Sequence, residues 1–223
     1  MEKYDINFYE NQKDGSYNSA KIIIPLVRQF VKPKTVMDLG CGLGTWLAVW
    51  KEYGVDVIGV DGDYVERDML YIDEKEFISA DLSKEYVNVD KKVDLVESLE
   101  VAEHLPEDRA YAFIRNLTDI SDVVLFSAAI PYQGGTNHIN EQWQSYWAEI
   151  FASRGYVPLD CIRTQQAKLA GVQLPYAQNI IIYIKETELY RYPLLQEFYL
   201  KHHEYQVLDY VHPQGFLLAM KRA

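Results

Sequence analysis

The stretch 35-TVMDLGCGLGTW-46 reads as a short buried strand that runs into three closely spaced glycines, Gly40, Gly42 and Gly44, and then hands over to a helix. Glycine accepts backbone conformations and close approaches that side chains forbid, and the N-terminus of the following helix offers free N–H groups and partial positive charge. A nucleotide-like ligand is the natural guest of such a turn. The spacing is G-x-G-x-G, not the G-x-G-x-x-G of dinucleotide folds, so the cluster alone also admits a tight turn without a ligand.

Working outward, VDVIGVD (55–61), FISADL (77–82), VDLVESL (93–99) and DVVLFSAAI (122–130) are apolar runs that end in small or polar residues. Amphipathic stretches separate them, the order expected of β-α-β units around a parallel sheet. Helices are expected from Thr45 to Tyr53, over 106-PEDRAYAFIRNL-117, where Pro106 and the acids after it mark a start, and over 140-NEQWQSYWAEIFASRG-155, which stops at Gly155. LDCIRTQ (159–165) and NIIIYIKE (179–186), joined by the loop 167-AKLAGVQLPYAQ-178, bring the strands to seven. Before the sheet, Ser19 is expected to cap a helix through Val31, kinked at Pro25. After it come a helix over 188-ELYRYPLLQEFYLKHHEY-205, a turn at HPQG and the apolar run FLLAM. With no repeat, low-complexity tract or Gly/Ser linker, the 223 residues are read as one domain: an N-terminal lid or helix over 1–30, a core over 31–186 and an extension over 187–223.

Composition narrows the partners. Lys and Arg number 22 against 33 Asp and Glu, a net charge of -11, and no basic run exceeds two residues, which argues against long nucleic acid. Cys41 and Cys161 lie far apart with no paired spacing, as a reducing compartment permits. The start lacks the pattern of a signal peptide and no window approaches the ~18 apolar residues of a membrane span, so a cytoplasmic protein without a membrane partner is expected. Oligomeric state stays open, a homodimer included.

Asp61 closes the second strand 21 residues after Gly40, where an acid can accept hydrogen bonds from both ribose hydroxyls. Asp81 ends the third strand within reach of an adenine amino group, and serves equally as a helix N-cap. Taken together, VMDLGCGLGTW, VIGVDGDY, FISADL and VDLVESLEVAEHLP, in this order, resemble the motifs of the class I S-adenosylmethionine-dependent methyltransferases over roughly residues 30 to 185. That resemblance implies a Rossmann-like α/β fold, a seven-stranded, mostly parallel sheet with helices on both faces and a reversed last hairpin. It also implies S-adenosyl-L-methionine as cofactor, with its methionine part over Gly40, Cys41 and Gly42, its ribose on Asp61 beside Gly62 and its adenine near Asp81 and Leu82. Asp38 would support the glycine loop and the cofactor's amino group, and Ser98 closes the fourth strand on the same side.

The segment 98-SLEVAEHLPEDRA-110 places Glu100, Glu103 and His104 at i, i+3 and i+4, one face if they share a helical turn. Pro106 disfavours helix at Leu105 and keeps that turn short. His138, in 131-PYQGGTNHINEQW-143, follows the fifth strand, which the resemblance makes a neighbour of the fourth. Two carboxylates and two imidazoles suit a divalent metal: the oxygens Mg²⁺ or Mn²⁺, the histidines also Fe, Co, Ni or Zn. E-x-x-E-H with a later His resembles the metal site of small-RNA 3′-terminal 2′-O-methyltransferases, and E-x-x-E-H alone that of quinone-biosynthesis O-methyltransferases. A metal could lower the pKa of a substrate hydroxyl, whereas a metal-free version needs only His104 or His138 as general base, with Glu100 in support. The acids could equally do no more than cap the turn.

Tyr4, Phe8, Tyr9 and Tyr17 precede the core where a lid is often found, and Trp143, Tyr146 and Trp147 suit either stacking on a ligand or packing on the sheet. His202, His203 and Glu204 read as a solvated face. Cys41 has no partner base in sequence and reads as a packing residue even within the cofactor loop. The leading expectation is methyl transfer to an oxygen of a small polar acceptor. The GGTNHINEQWxxYW loop resembles enzymes of surface-polysaccharide and secondary-metabolite pathways, which points to a sugar, sugar nucleotide or phosphorylated precursor. N-methylation of an amine or amide, an RNA 3′-terminal 2′-O-methyltransferase, a non-catalytic cofactor-binding module and a nicotinamide dehydrogenase are the alternatives.

Overall fold

A computed structural model describes residues 6–222, with side chains from Gly15 onward apart from Gln166 and Arg222. Seven strands, β1 (Thr35–Leu39), β2 (Asp56–Asp61), β3 (Phe77–Ser79), β4 (Leu95–Leu99), β5 (Val123–Ser127), β6 (Tyr156–Leu159) and β7 (Ile181–Lys185), form one sheet in the order β3-β2-β1-β4-β5-β7-β6. The first five run parallel; β7 is antiparallel to both β5 and β6. The chain order reverses between β1 and β4, and at that switch point the loops beyond the strands' carboxyl ends diverge and leave a crevice.

Side chains alternate across the sheet, as the period of two requires. On β5, Val123 and Leu125 join one apolar cluster while Val124 and Phe126 join another. The first cluster is completed by α1 (Ile6–Phe30), α2 (Thr45–Glu52) and α5 (Leu174–Asn179), through Ile23, Val27, Leu47, Trp50 and Tyr176. The second is covered by α3 (Ala110–Ile120) and α4 (Gln144–Ser153), whose Phe113, Ile114, Trp147 and Phe151 are buried. Trp147 tilts against Phe126 with ring centroids 5.4 Å apart, so this tryptophan is core and not a stacking platform. Among the described residues no helix is long and apolar enough to cross a membrane.

Four segments depart from the sequence expectation. α1 does not begin at Ser19; it is already helical at Ile6 and continues through Pro25. Ser19 Oγ donates back to the Gly15 carbonyl at 2.6 Å, the mid-helix use of a serine hydroxyl in place of a cap. β6 lies at 156–159 and not at 159–165: Pro158 is tolerated because β6 is an edge strand, and the following Arg163–Lys168 forms a 3₁₀ turn. The expected loop 167–178 contains the start of α5, where Pro175 sits in the first turn. HPQG is likewise a helix start and not a turn: α7 (Pro213–Arg222) follows α6 (Pro193–His202) and takes up the apolar run.

Candidate active site

A cleft of about 880 Å³ opens beyond the carboxyl ends of β1 to β5, within the size range of small-molecule sites. Gly40, Gly42, Asp61, Gly62, Asp81, Leu82, Glu100, Glu103, His104 and His138 line it. Asp38, Cys41 and Ser98 do not. Ser98 Oγ donates to the Leu39 carbonyl at 2.8 Å and ties β4 to the end of β1. Cys41 is buried with its sulfur against Gly59, and burial pushes its thiol pKa well up, consistent with a packing role. Asp38 lies beneath the glycine loop beside Glu97 on the neighbouring strand. Burial, then Glu97 and Asp61, raise the Asp38 pKa well above the carboxylate range, and burial pushes Glu97 up to about 8.

The glycine loop is left-handed at all three glycines, with φ of 93° at Gly40, 53° at Gly42 and 78° at Gly44. At Gly42 nothing lies within 4 Å of where a Cβ would stand, so the backbone there faces open space on the cleft side. At Gly40 a Cβ would meet Val101 Cγ2 at 2.3 Å, because the loop after β4 packs directly on this α-carbon. Asp61 ties the loop together: its carboxylate accepts the Gly42 and Gly62 N–H groups, both at 2.7 Å, and the Tyr64 hydroxyl. Of roughly four lone-pair sites on a carboxylate, that leaves about one for a ligand unless Tyr64 yields. Asp81 also makes local bonds, to the Ser83 N–H at 3.1 Å and Lys84 at 2.8 Å, and the Lys84 ammonium and Ser83 hold its pKa at about 2. No helix follows Asp81: β3 already ends at Ser79 and residues 82–84 form a turn, so these bonds close a turn beside the cleft and do not cap a helix.

At the other end, Glu100, Glu103 and His104 do not share a helical turn. Ala102–His104 forms a 3₁₀ turn, while Glu100 precedes it with φ of 57°. Its N–H is held by the Ser127 carbonyl at 3.0 Å, and its carboxylate accepts Gln133 Nε2 at 2.9 Å and Asn179 Nδ2 at 3.1 Å. Burial raises the Glu100 pKa against the pull of these donors. Glu103 is fully buried and neither carboxylate oxygen has a hydrogen-bond partner among the described residues. Burial, and then the charge of Glu100, push its pKa well up.

His138 reaches this turn because the Ile139 and Asn140 N–H groups both donate to the Glu103 carbonyl, at 2.9 and 3.0 Å. The two imidazoles then meet edge to face, centroids 4.9 Å apart. His104 Nδ1 faces the Asn137 carbonyl at 3.3 Å and His138 Nδ1 faces Glu141 Oε1 at 2.9 Å. Both partners are acceptors, so each Nδ1 carries the proton and each Nε2 keeps its lone pair for chemistry. Burial, and then His138, lower the pKa of His104. Ligand atoms of Glu103, His104 and His138 lie within 4.8 Å of one another, and Glu100 is not part of that group. An orphaned carboxylate and two oriented imidazoles fit a divalent ion.

Sequence reasoning missed Glu141, which also accepts the Tyr132 and Gly134 N–H groups at 2.8 and 2.7 Å. It missed the amides of Gln133 and Asn179 as well. Tyr4 lies outside the described residues and the side chains of Phe8 and Tyr9 outside the described ones. Tyr17 is turned to Glu52, at 2.5 Å, and does not line the cleft; neither do Trp143 and Tyr146. His202 and His203 point apart, one against Phe198 and the other against Tyr199.

A methyltransferase-domain family model matches residues 12–157. The chain belongs to that family. It is an S-adenosylmethionine-dependent methyltransferase of the class I fold. Solved structures agree with the fold of this methyltransferase at low identity. The magnesium protoporphyrin IX methyltransferase of Synechocystis, with bound SAH, is 16% identical with a TM-score of 0.56, covering 82% of this chain and 89% of that one. A TehB-like S-adenosylmethionine-dependent methyltransferase from Corynebacterium glutamicum is 17% identical with a TM-score of 0.57, covering 81% and 97%. A further one from Archaeoglobus fulgidus is 18% identical with a TM-score of 0.57, covering 81% and 100%. No curated protein matches the methyltransferase by sequence.

Proposed function

We propose that the methyltransferase transfers its methyl group to a hydroxyl oxygen of a small polar acceptor, of the sugar or secondary-metabolite kind, with His138 as general base. The observation that carries this reading is that one cleft holds both the open glycine turn and two imidazoles whose Nε2 lone pairs are set free by acceptors on Nδ1.

In this reading Gly40 and Gly42 receive the methionine end of the cofactor, which no side chain obstructs at Gly42. Asp61 receives the ribose, displacing the Tyr64 hydroxyl, and Asp81 and Leu82 border the adenine. When bound, S-adenosylmethionine supplies a methyl carbon made electrophilic by the adjacent sulfonium. His138 Nε2 would take the proton of the acceptor hydroxyl, leaving the oxygen to accept that methyl group and S-adenosylhomocysteine to depart with the sulfur's electron pair. Glu141 holds the imidazole's tautomer and stabilises its protonated form. Glu100, fixed by Gln133 and Asn179, accepts a second hydroxyl of the acceptor.

Glu103, His104 and His138 would hold a divalent ion where one binds; the His138 Nε2 lone pair would then be a ligand and not the base, and such an ion would instead lower the pKa of the acceptor hydroxyl as a Lewis acid. Calorimetric titration of the chelator-stripped protein with Mn²⁺ or Zn²⁺ tests this directly: saturable uptake is expected in the wild type and its loss in Glu103→Gln. Stripped enzyme with full activity and no uptake would remove the metal and leave His138 as an unassisted base.

A further inference from the structure

We propose that the acceptor is a hydroxyl-bearing molecule without phosphate or other anionic group. The inference rests on the methyl-transfer reading above and narrows it, setting aside sugar nucleotides and phosphorylated precursors. Six carboxylates line the cleft, Asp61, Asp63, Asp81, Glu85, Glu100 and Glu103, and among the described residues no lysine or arginine does.

The cations that come near are engaged with groups of the protein. Lys84 pairs with Asp81 at 2.8 Å and Arg67 with Asp63 at 3.3 Å; Arg109 donates one NH₂ group to the Glu85 carbonyl at 3.4 Å, and its Nε, without a partner among the described residues, is buried and does not line the cleft. Recognition of phosphate asks for a guanidinium fork or an ammonium aimed at the ligand. The wall at the His138 end instead presents neutral groups, the side chains of Gln133 and Thr136 with two backbone glycines between them, and Gln173 and Tyr176 line the cleft from the side of α1 and α2.

Glu103 is an independent sign of the same kind. It is fully buried, lines the cleft, and neither oxygen has a hydrogen-bond partner among the described residues, so it brings polar oxygens and no positive charge to this wall. At long range the net charge of -11 works against an anionic acceptor as well. Hydroxyl groups, which donate to carboxylates and accept from amides, match this wall without a charge partner.

The test offers enzyme saturated with S-adenosylmethionine a panel of matched acceptors, each a methyl glycoside and its phosphate monoester, and reads formation of S-adenosylhomocysteine. The neutral member is expected to react with kcat/KM roughly tenfold or more above its phosphate, the discrimination that like charges impose. Equal or faster turnover of the phosphates overturns the inference. Thr136→Arg, which places a guanidinium on the exposed wall, is expected to narrow the ratio severalfold, and an unmoved ratio also overturns it. Amino-sugar partners in the same panel separate this inference from the reading beneath it: methylation at nitrogen sinks the oxygen assignment and leaves the charge rule standing. Calorimetry with S-adenosylhomocysteine reports cofactor binding separately from both.

Discussion

At the glycine end of the cleft, Asp61 spends most of its lone pairs on main-chain N–H groups that lie one and nineteen residues away. At the histidine end, the Glu103 carboxyl oxygens have no hydrogen-bond partner among the described residues, and the groups of that end arrive from the loop after β4, the loop after β5 and α5. One end is organised by backbone and the other by side chains brought from far apart in sequence. The contrast teaches where tolerance lies. A backbone cradle grips a ligand common to many enzymes, whereas the side-chain end can be re-specified by changing a few residues without disturbing the cradle.

The comparison breaks most visibly if the two ends prove inseparable. His138→Ala is expected to lower kcat by roughly 10²- to 10⁴-fold, the usual worth of a general base, while the calorimetric affinity for S-adenosylhomocysteine stays near wild type. A parallel collapse of that affinity would mean that the histidine supports the cradle. Asp61→Ala should do the reverse and weaken S-adenosylhomocysteine binding about 10- to 100-fold through the loss of charge-assisted hydrogen bonds, with kcat at saturating cofactor little changed.

Glu141→Gln tests the positioning step. Its expected cost is about tenfold in activity, the low end for a group that orients a working histidine, because the amide oxygen can still accept from Nδ1. Glu141→Ala, which takes that acceptor away from Nδ1, should cost more than Glu141→Gln, and equal losses in the two variants would remove the positioning role.

The smallest effect concerns stability beneath the cradle. Glu97 has a folded-state pKa of about 8, raised by burial above its ordinary value of 4.5, so the folded protein binds more protons than the unfolded chain between those values. Its contribution to stability is therefore full below about 4.5 and is lost as pH rises through about 8. Glu97→Gln keeps an acceptor for Trp50 Nε1, which donates to Glu97 Oε2 at 2.9 Å, and should flatten the fall of Tm between about pH 4.5 and about pH 8. An unchanged slope would place the titration elsewhere.

What was legible in sequence follows the same division. The strand–glycine–helix turn and Asp61 are local patterns, and both line the cleft as the spacing implies. Glu103, His104 and His138 were also legible as a set, since the neighbouring positions of β4 and β5 bring their loops together. Glu141 was not, because nothing in its sequence neighbourhood says that Tyr132 and Gly134 fold back onto it. Asn179 was assigned to a strand, and its amide meets Glu100 only after β7 takes its place beside β5. Pro158, Pro175 and Pro213 misled for one reason: proline marks an edge strand or a first helical turn as readily as a loop.

Val101 packs where any side chain at residue 40 would stand, so the loop bearing Glu103 and His104 is keyed into the glycine turn. Transplanting that loop from a relative to change the acceptor must therefore bring a side chain that fits this notch. An oversized residue at 101 would prise the cofactor turn open, and a smaller one would leave it loose. Engineering of selectivity has its freest ground in the loop after β5, which grips the neighbouring loop at Glu100, Glu103 and His104 and leaves the notch at Gly40 to Val101.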